Sequence, residues 1–95
     1  VEVEGVTPAE FSLEQNYPNP FNPTTRIDFS IPNESNVKIS IYNLIGQKIA
    51  DIVNSKFAVG KHSVSFDASN LTSGIYLYKI EADNFTLTKK MQLIK

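Results

Sequence analysis

The side chains best suited to chemistry are few and scattered in this chain of 95 residues. His62 is the sole histidine, so a metal cluster or a histidine-dependent triad would have to form around it. It alternates in phase with Val64 and Phe66, which predicts a packed or half-buried position on a β-strand. Cysteine is absent, and no zinc-site spacing occurs, since the carboxylates stand singly at Asp28, Asp51, Asp67 and Asp83. We therefore predict no metal, no cofactor and no catalytic centre, and hence a protein that is not an enzyme.

Composition narrows the function classes further. The net charge of −1 argues against a nucleic-acid binder, in which a basic stripe is expected. The 41% hydrophobic and 20% charged residues are ordinary for one soluble globular domain. No apolar run approaches the roughly 20 residues of a membrane helix. Four glycines are spread as turn glycines rather than as a loop that cradles phosphate, so no small-molecule substrate is indicated.

Two groups of side chains leave alternatives open. Tyr42, Tyr76 and Tyr78 could form a platform on which sugars stack, as in carbohydrate-binding modules, or they could pack in a core. Lys89 and Lys90 could contact a receptor, or they could be charges that protect an edge strand from aggregation. For the domain as a whole, another possible function is that of a passive structural spacer of fibronectin or immunoglobulin type.

The elements that must position these residues are predicted to be β-strands. Apolar and polar residues alternate, with the two-residue period of strands that are buried on one face. The inward sets are Ile27, Phe29 and Ile31; Val37, Ile39 and Ile41; His62, Val64 and Phe66; Tyr76, Tyr78, Ile80 and Ala82; and Phe85, Leu87, Met91 and Leu93. In KIADIVN, Ile49 and Val53 lie opposite Ala50 and Ile52, which indicates an edge strand or a bulge.

Turn residues separate these runs at regular intervals, and Asp83-Asn84 is short enough for a two-residue hairpin. A short first strand near Phe11 and Leu13 brings the predicted count to seven. Seven strands in about 85 residues are typical of an immunoglobulin-like β-sandwich. The predicted fold class is therefore all-β, a seven-stranded immunoglobulin-like sandwich.

The stretch NYPNPFNPTT holds three of the five prolines just before the first long strand. Proline fixes φ near −65° and biases the preceding residue towards extended conformations. We predict that Pro18, Pro20 and Pro23 hold residues 17–23 extended without sheet hydrogen bonds. Tyr17 and Phe21, four residues apart, are both predicted to pack into the end of the sandwich.

Four segments resemble one family when taken in order. They are YPNPFNPTTRIDFSIP, VKISIYNLIGQKI, GKHSVSFDASNLTSGIYLYKI and LTKKMQLIK. Together they resemble the type A C-terminal sorting domain of substrates of the type IX, or Por, secretion system of Gram-negative bacteria. The resemblance covers residues 11–95 and leaves residues 1–10 as a linker to an upstream cargo domain.

The resemblance implies a secretion signal rather than an enzyme. In such proteins an outer-membrane translocon recognises the folded domain, and a sortase-like protease typically removes it. The cargo then reaches the cell surface or the extracellular space. By position, Tyr17, Pro18, Asn19, Pro20 and Phe21 match the family's opening motif, Gly46 its middle turn, and Gly74, Ile75 and Tyr76 its penultimate strand. Lys89, Lys90, Leu93, Ile94 and Lys95 match its last strand, and we expect them to carry recognition.

Overall fold

The computed structural model of the chain describes residues 10–95, which contain β-strands and no helix. Within this range no helix is long or apolar enough to cross a membrane. The predicted linker, residues 1–10, lies outside the described residues except for Glu10. The strands are β1 (Ser12–Leu13), β2 (Thr24–Ile31), β3 (Ser35–Tyr42), β4 (Lys48–Phe57), β5 (Gly60–Asp67), β6 (Gly74–Ala82) and β7 (Phe85–Leu93).

The strands form two antiparallel sheets, which confirms the predicted seven-stranded sandwich. One sheet has the order β1-β2-β5 and the other the order β4-β3-β6-β7. In a constant-type immunoglobulin domain the fourth strand joins the first sheet. Here β4 pairs with β3 in the second sheet instead. The β4–β5 connection therefore passes from one sheet to the other.

The core lies between the sheets and follows the predicted alternation. Ile27, Phe29 and Ile31 on β2 are at most 2% exposed, and so are the inward residues of β3. On β6, the buried residues Tyr76, Tyr78, Ile80 and Ala82 share one face, as predicted, and β6 lies between β3 and β7. Pro32 follows the last residue of β2, which agrees with its lack of an N–H for the sheet.

Strand β4 is both an edge strand and a bulged strand, the two explanations offered for its irregular pattern. It is the outer strand of its sheet among the described residues, and its register with β3 shifts twice. The shifts pair Val53 with Ile39 and Ala50 with Ile41, so Val53 and Ala50 face the core together. The predicted grouping of Ile49 with Val53 was wrong, because the bulges reset the alternation, and Ile49 is exposed.

The last hairpin matches the prediction closely. Ala82 pairs with Phe85, and Asp83 adopts a positive φ of 52° in the two-residue turn. The inward face of β7 is fully buried in its C-terminal half, at Met91 and Leu93, while Phe85 at its start is half-buried against the core. Leu87 is exposed, contrary to its predicted place in the core, and it lies on the outer strand of its sheet.

Candidate recognition site

The strand registers bring every segment of the family motif to one end of the sandwich. Tyr42 pairs with Leu77, so the β3–β4 loop extends past that pair toward Gly74. Gly74 pairs with Leu93, and Leu93 forms a bridge with Phe21. We call this the motif end; it comprises residues 17–23, 43–47, 68–74 and 93–95. The opposite, far end comprises residues 32–34, 58–59 and 83–84.

A segment between β1 and β2, residues 14–21, closes the side of the sandwich between β1 and β7; we call it the strap. The buried hydroxyl of Tyr78 holds it from inside. The Asn16 backbone N–H donates to this hydroxyl at 2.8 Å, and the hydroxyl donates to the Glu14 carbonyl at 2.8 Å. The Asn16 side chain, which is 2% exposed, donates to Thr25 Oγ1 at 2.9 Å. The strap is therefore fixed to both sheets.

The strap also covers the outer edge of β7 near its end. Phe21 donates its N–H to the Gln92 carbonyl and accepts one from the Ile94 N–H, both at 2.9 Å. Gln92 donates its N–H to Asn19 Oδ1 at 3.0 Å, and Gln15 Nε2 donates to the Lys90 carbonyl at 2.7 Å. The last residues of the described chain are thus held in a defined position and do not hang free.

The predicted conformation of the proline segment was wrong in two respects. The chain bends at residues 18–20, because the Pro18 carbonyl accepts hydrogen bonds from the Asn16 side chain and the Thr25 hydroxyl. Sheet-like hydrogen bonds also occur in the segment. Tyr17 exchanges two with Arg26, and Phe21 bridges to Leu93, because these residues, unlike proline, keep an N–H.

The two aromatic residues of this segment have opposite environments. Phe21 is 1% exposed and its ring lies 6.5 Å from that of Phe66. Tyr17 is 72% exposed, so its predicted burial was wrong. The bridge between Tyr17 and Arg26 fixes only its backbone, and the ring lies on the surface.

The five residues expected to carry recognition differ in accessibility. Lys89 pairs with core-facing Tyr78 and Lys90 with Leu77, so the two lysines point to opposite faces of the sheet. Leu93 is 1% exposed, so its side chain holds the tail in the core and is not available to a partner in the folded domain. Ile94 is 46% exposed, and Lys95 is exposed while its Nζ donates to the Ser69 carbonyl.

The remaining motif positions are structural in this geometry. Gly46 has a φ of +92° in the β3–β4 loop, a conformation that favours glycine. Gly74 begins β6 with a φ of +153°. Ile75 is half-buried on the outer face of its sheet. Tyr76 is buried and donates its hydroxyl to the Thr72 carbonyl at 2.8 Å, which holds the loop before β6.

Catalytic or sugar-binding arrangements do not form at the predicted candidates. His62 is half-buried beside Phe29 and Phe57, and its Nε2 lies 2.7 Å from the Ala58 carbonyl. This confirms its predicted packed position. Tyr76 and Tyr78 are in the core, so they cannot form an exposed platform with Tyr42. Within residues 10–95, no three His, Asp or Glu side chains come together as metal ligands.

Several titratable groups are shifted by local contacts. Burial raises the pKa of Tyr78 to about 12, while the hydrogen bond from the Asn16 backbone acts in the opposite direction. The Ser69 hydroxyl and backbone N–H hold the pKa of the Asp67 carboxyl below its ordinary value. The Ser40 hydroxyl, followed by Lys48, lowers the pKa of Asp51. These bonds order the backbone and supply no acid–base pair.

Two features were missed at the sequence level. Asn16 is the most connected polar residue of the strap, and an asparagine before a proline-rich segment gives no specific signal of this role. Leu44 and Ile45, two large aliphatic residues inside the turn at 43–47, are 62% and 80% exposed. Their presence in a turn is a signal that the sequence did contain.

The geometry describes a β-sandwich whose distinctive residues lie at one end. The model of the family "Secretion system C-terminal sorting domain" matches residues 15–95, and the chain belongs to this family. The domain is a sorting signal for type IX secretion. Membership of the family links it to the secretion machinery and to an upstream cargo. The domain directs export across the outer membrane to the cell surface or the extracellular space. No curated protein matches the chain.

Proposed function

We propose that the outer-membrane translocon of the type IX system recognises this domain in its folded form, through the motif end and the exposed groups of the last strand. The hydrogen bonds between Phe21 and the chain at Gln92 and Ile94 support this proposal most directly. They give the tail one fixed position relative to the strap. A receptor can therefore read Ile94, Lys95 and Lys90 as a surface of defined shape, with Leu93 as the buried anchor.

The proposed recognition is tested by fusing the chain to a periplasmic reporter in a host that has the type IX system. Lys90→Gln with Lys95→Gln removes two exposed positive charges near the tail. Lys56→Gln with Lys61→Gln removes two exposed charges toward the far end and serves as the matched control. We expect the first pair to leave reporter in the periplasm and the second to leave export unchanged. Retention of the unmodified fusion would overturn the proposal.

The second part of the proposal is removal of the domain by a sortase-like protease after translocation. Residues 1–10, between cargo and sandwich, are where we expect the cut. The strap and the seven strands, within residues 12–95, are held by backbone hydrogen bonds, which protect these segments from proteolysis in the folded state. Mass spectrometry of the exported reporter should show a C-terminus before residue 11. A reporter that retains the intact sandwich at the cell surface would count against cleavage.

A further inference from the structure

The loop between β3 and β4 holds two adjacent aliphatic side chains in solvent. Leu44 is 62% exposed and Ile45 is 80% exposed. Ile49, shortly after the loop on the outer strand β4, is a third exposed aliphatic residue. Single exposed apolar residues are common on protein surfaces, whereas a contiguous group marks an interaction site more often.

The loop that carries these side chains is ordered by a dense set of hydrogen bonds. Asn43 Oδ1 accepts the N–H groups of Ile45 at 3.1 Å and of Gln47 at 2.9 Å. Asn43 Nδ2 donates to Gln47 Oε1 at 2.8 Å, and the Asn43 N–H donates to the Gln47 carbonyl at 3.0 Å. Gly46 supplies the positive φ that the turn requires. The backbone beneath Leu44 and Ile45 is therefore preorganised, which lowers the entropy lost on binding.

We propose that Leu44 and Ile45 form an apolar knob that inserts into an apolar socket on a protein of the type IX secretion machinery. This inference rests on the proposed function and adds a contact to it. The knob lies at the motif end, as does the tail. Strands β3 and β7 are two positions apart in one sheet, about 10 Å, so one partner can reach both.

The surroundings of the knob favour a protein partner over a lipid surface. Peripheral lipid binding needs a wide apolar face together with basic residues that attract anionic headgroups. Two cations near the loop are paired with carboxylates: Lys48 with Asp51 at 3.1 Å, and Lys79, which lies over the Tyr42 ring, with Glu81 at 3.9 Å. Two aliphatic side chains beside lysines that are already paired with carboxylates suit a small socket in a protein.

The test compares two surface variants of the full chain fused to the reporter. Leu44→Ser with Ile45→Ser removes the knob, and Val59→Ser, at a 40% exposed position of the far end, is the control. Binding to purified, detergent-solubilised type IX translocon is measured with immobilised fusion. We expect the knob variant to bind about tenfold more weakly or worse, from the loss of two buried aliphatic side chains. The control should bind like the unmodified chain.

Each other outcome decides against the knob. If the knob variant binds the translocon and is exported like the unmodified chain, the knob proposal is overturned. The lysine variants still test the proposed function separately. Binding of the unmodified chain to protein-free vesicles of phosphatidylcholine and phosphatidylglycerol, lost in the knob variant, also overturns it in favour of lipid. Ile45→Ser alone, at the most exposed position, is the second variant if the double variant unfolds. Thermal unfolding of every variant is measured alongside.

Discussion

The hydroxyl of Tyr78 on β6 accepts a hydrogen bond from the backbone N–H of Asn16, 62 residues earlier in the chain, at 2.8 Å. Tyr78 is fully buried and Asn16 is 2% exposed. This bond joins the strap to the centre of the four-stranded sheet, and with the Glu14 carbonyl it satisfies both the donor and the acceptor capacity of the phenol. The position of the strap along β7 depends on it.

Removal of this hydroxyl should destabilise the domain. Tyr78→Phe leaves the Asn16 N–H and the Glu14 carbonyl without this partner, and an unsatisfied buried group costs about 1–3 kcal/mol. The free energy of unfolding in urea measures the loss. Tyr42→Phe, on the half-exposed outer face, is the matched control and should change stability by less than about 0.5 kcal/mol. Equal effects of the two variants would contradict this role of Tyr78.

The same residue predicts a loss of stability at high pH. The pKa of Tyr78 is about 12 in the folded domain against an ordinary value of 10.0, so the unfolded chain releases this proton first. The contribution of Tyr78 is therefore fully present below about pH 10 and is lost as the pH rises through about 12. The stability difference between the unmodified chain and Tyr78→Phe should shrink across this window. A difference that stays constant in urea unfolding would contradict the shift.

The two aromatic residues of the proline segment should differ sharply on truncation. Phe21→Ala removes a buried ring next to Phe66 and should cost about 3–5 kcal/mol. Tyr17→Ala removes a ring that is 72% exposed and keeps the backbone bridge to Arg26, so it should cost less than about 0.5 kcal/mol. Chemical denaturation of both variants checks the contrast. A large loss with Tyr17→Ala would show that this ring is packed.

The stability lost on substitution of Gly46 should depend only on how well the new residue tolerates a positive φ. A Cβ at this position would meet no heavy atom within 4 Å, so the φ of +92° is the only obstacle. A β-branched residue is strained there, and Gly46→Val should cost about 1–3 kcal/mol. Gly46→Asn should cost less, because asparagine tolerates positive φ better. Thermal unfolding compares the two, and an equal loss would indicate a cause other than backbone strain.

Much of the sandwich could be predicted from local pattern. Ile27, Phe29 and Ile31 alternate with polar residues, and only a strand with one buried face explains that period. The irregular run in β4 indicated an edge strand or a bulge, and the structure has both. The alternation also implies that Lys89 and Lys90 face opposite sides, a consequence that was available from their adjacency.

The site was less predictable, because it depends on contacts between distant segments. Spacing alone does not tell which of Tyr17 and Phe21 is buried; the bridge from Phe21 to Leu93 decides it. Asn16 is important because it forms hydrogen bonds with Tyr78, Thr25 and Pro18. Only Pro18 is close to Asn16 in the sequence, so a local pattern could not reveal the other two contacts. Gly46 located the turn at 43–47, and the two large aliphatic residues inside it, Leu44 and Ile45, were an available sign of exposed apolar side chains.

The seal between the strap and β7 joins an early segment of the domain to its last strand, so the sandwich closes only when the end of β7 is present. A polypeptide that stops before Met91 and Leu93 has nothing for Phe21 to close against, and the four-stranded sheet then lacks the end of its outermost strand. A chain shortened before these residues would therefore lack the closed tail on which the proposed recognition depends.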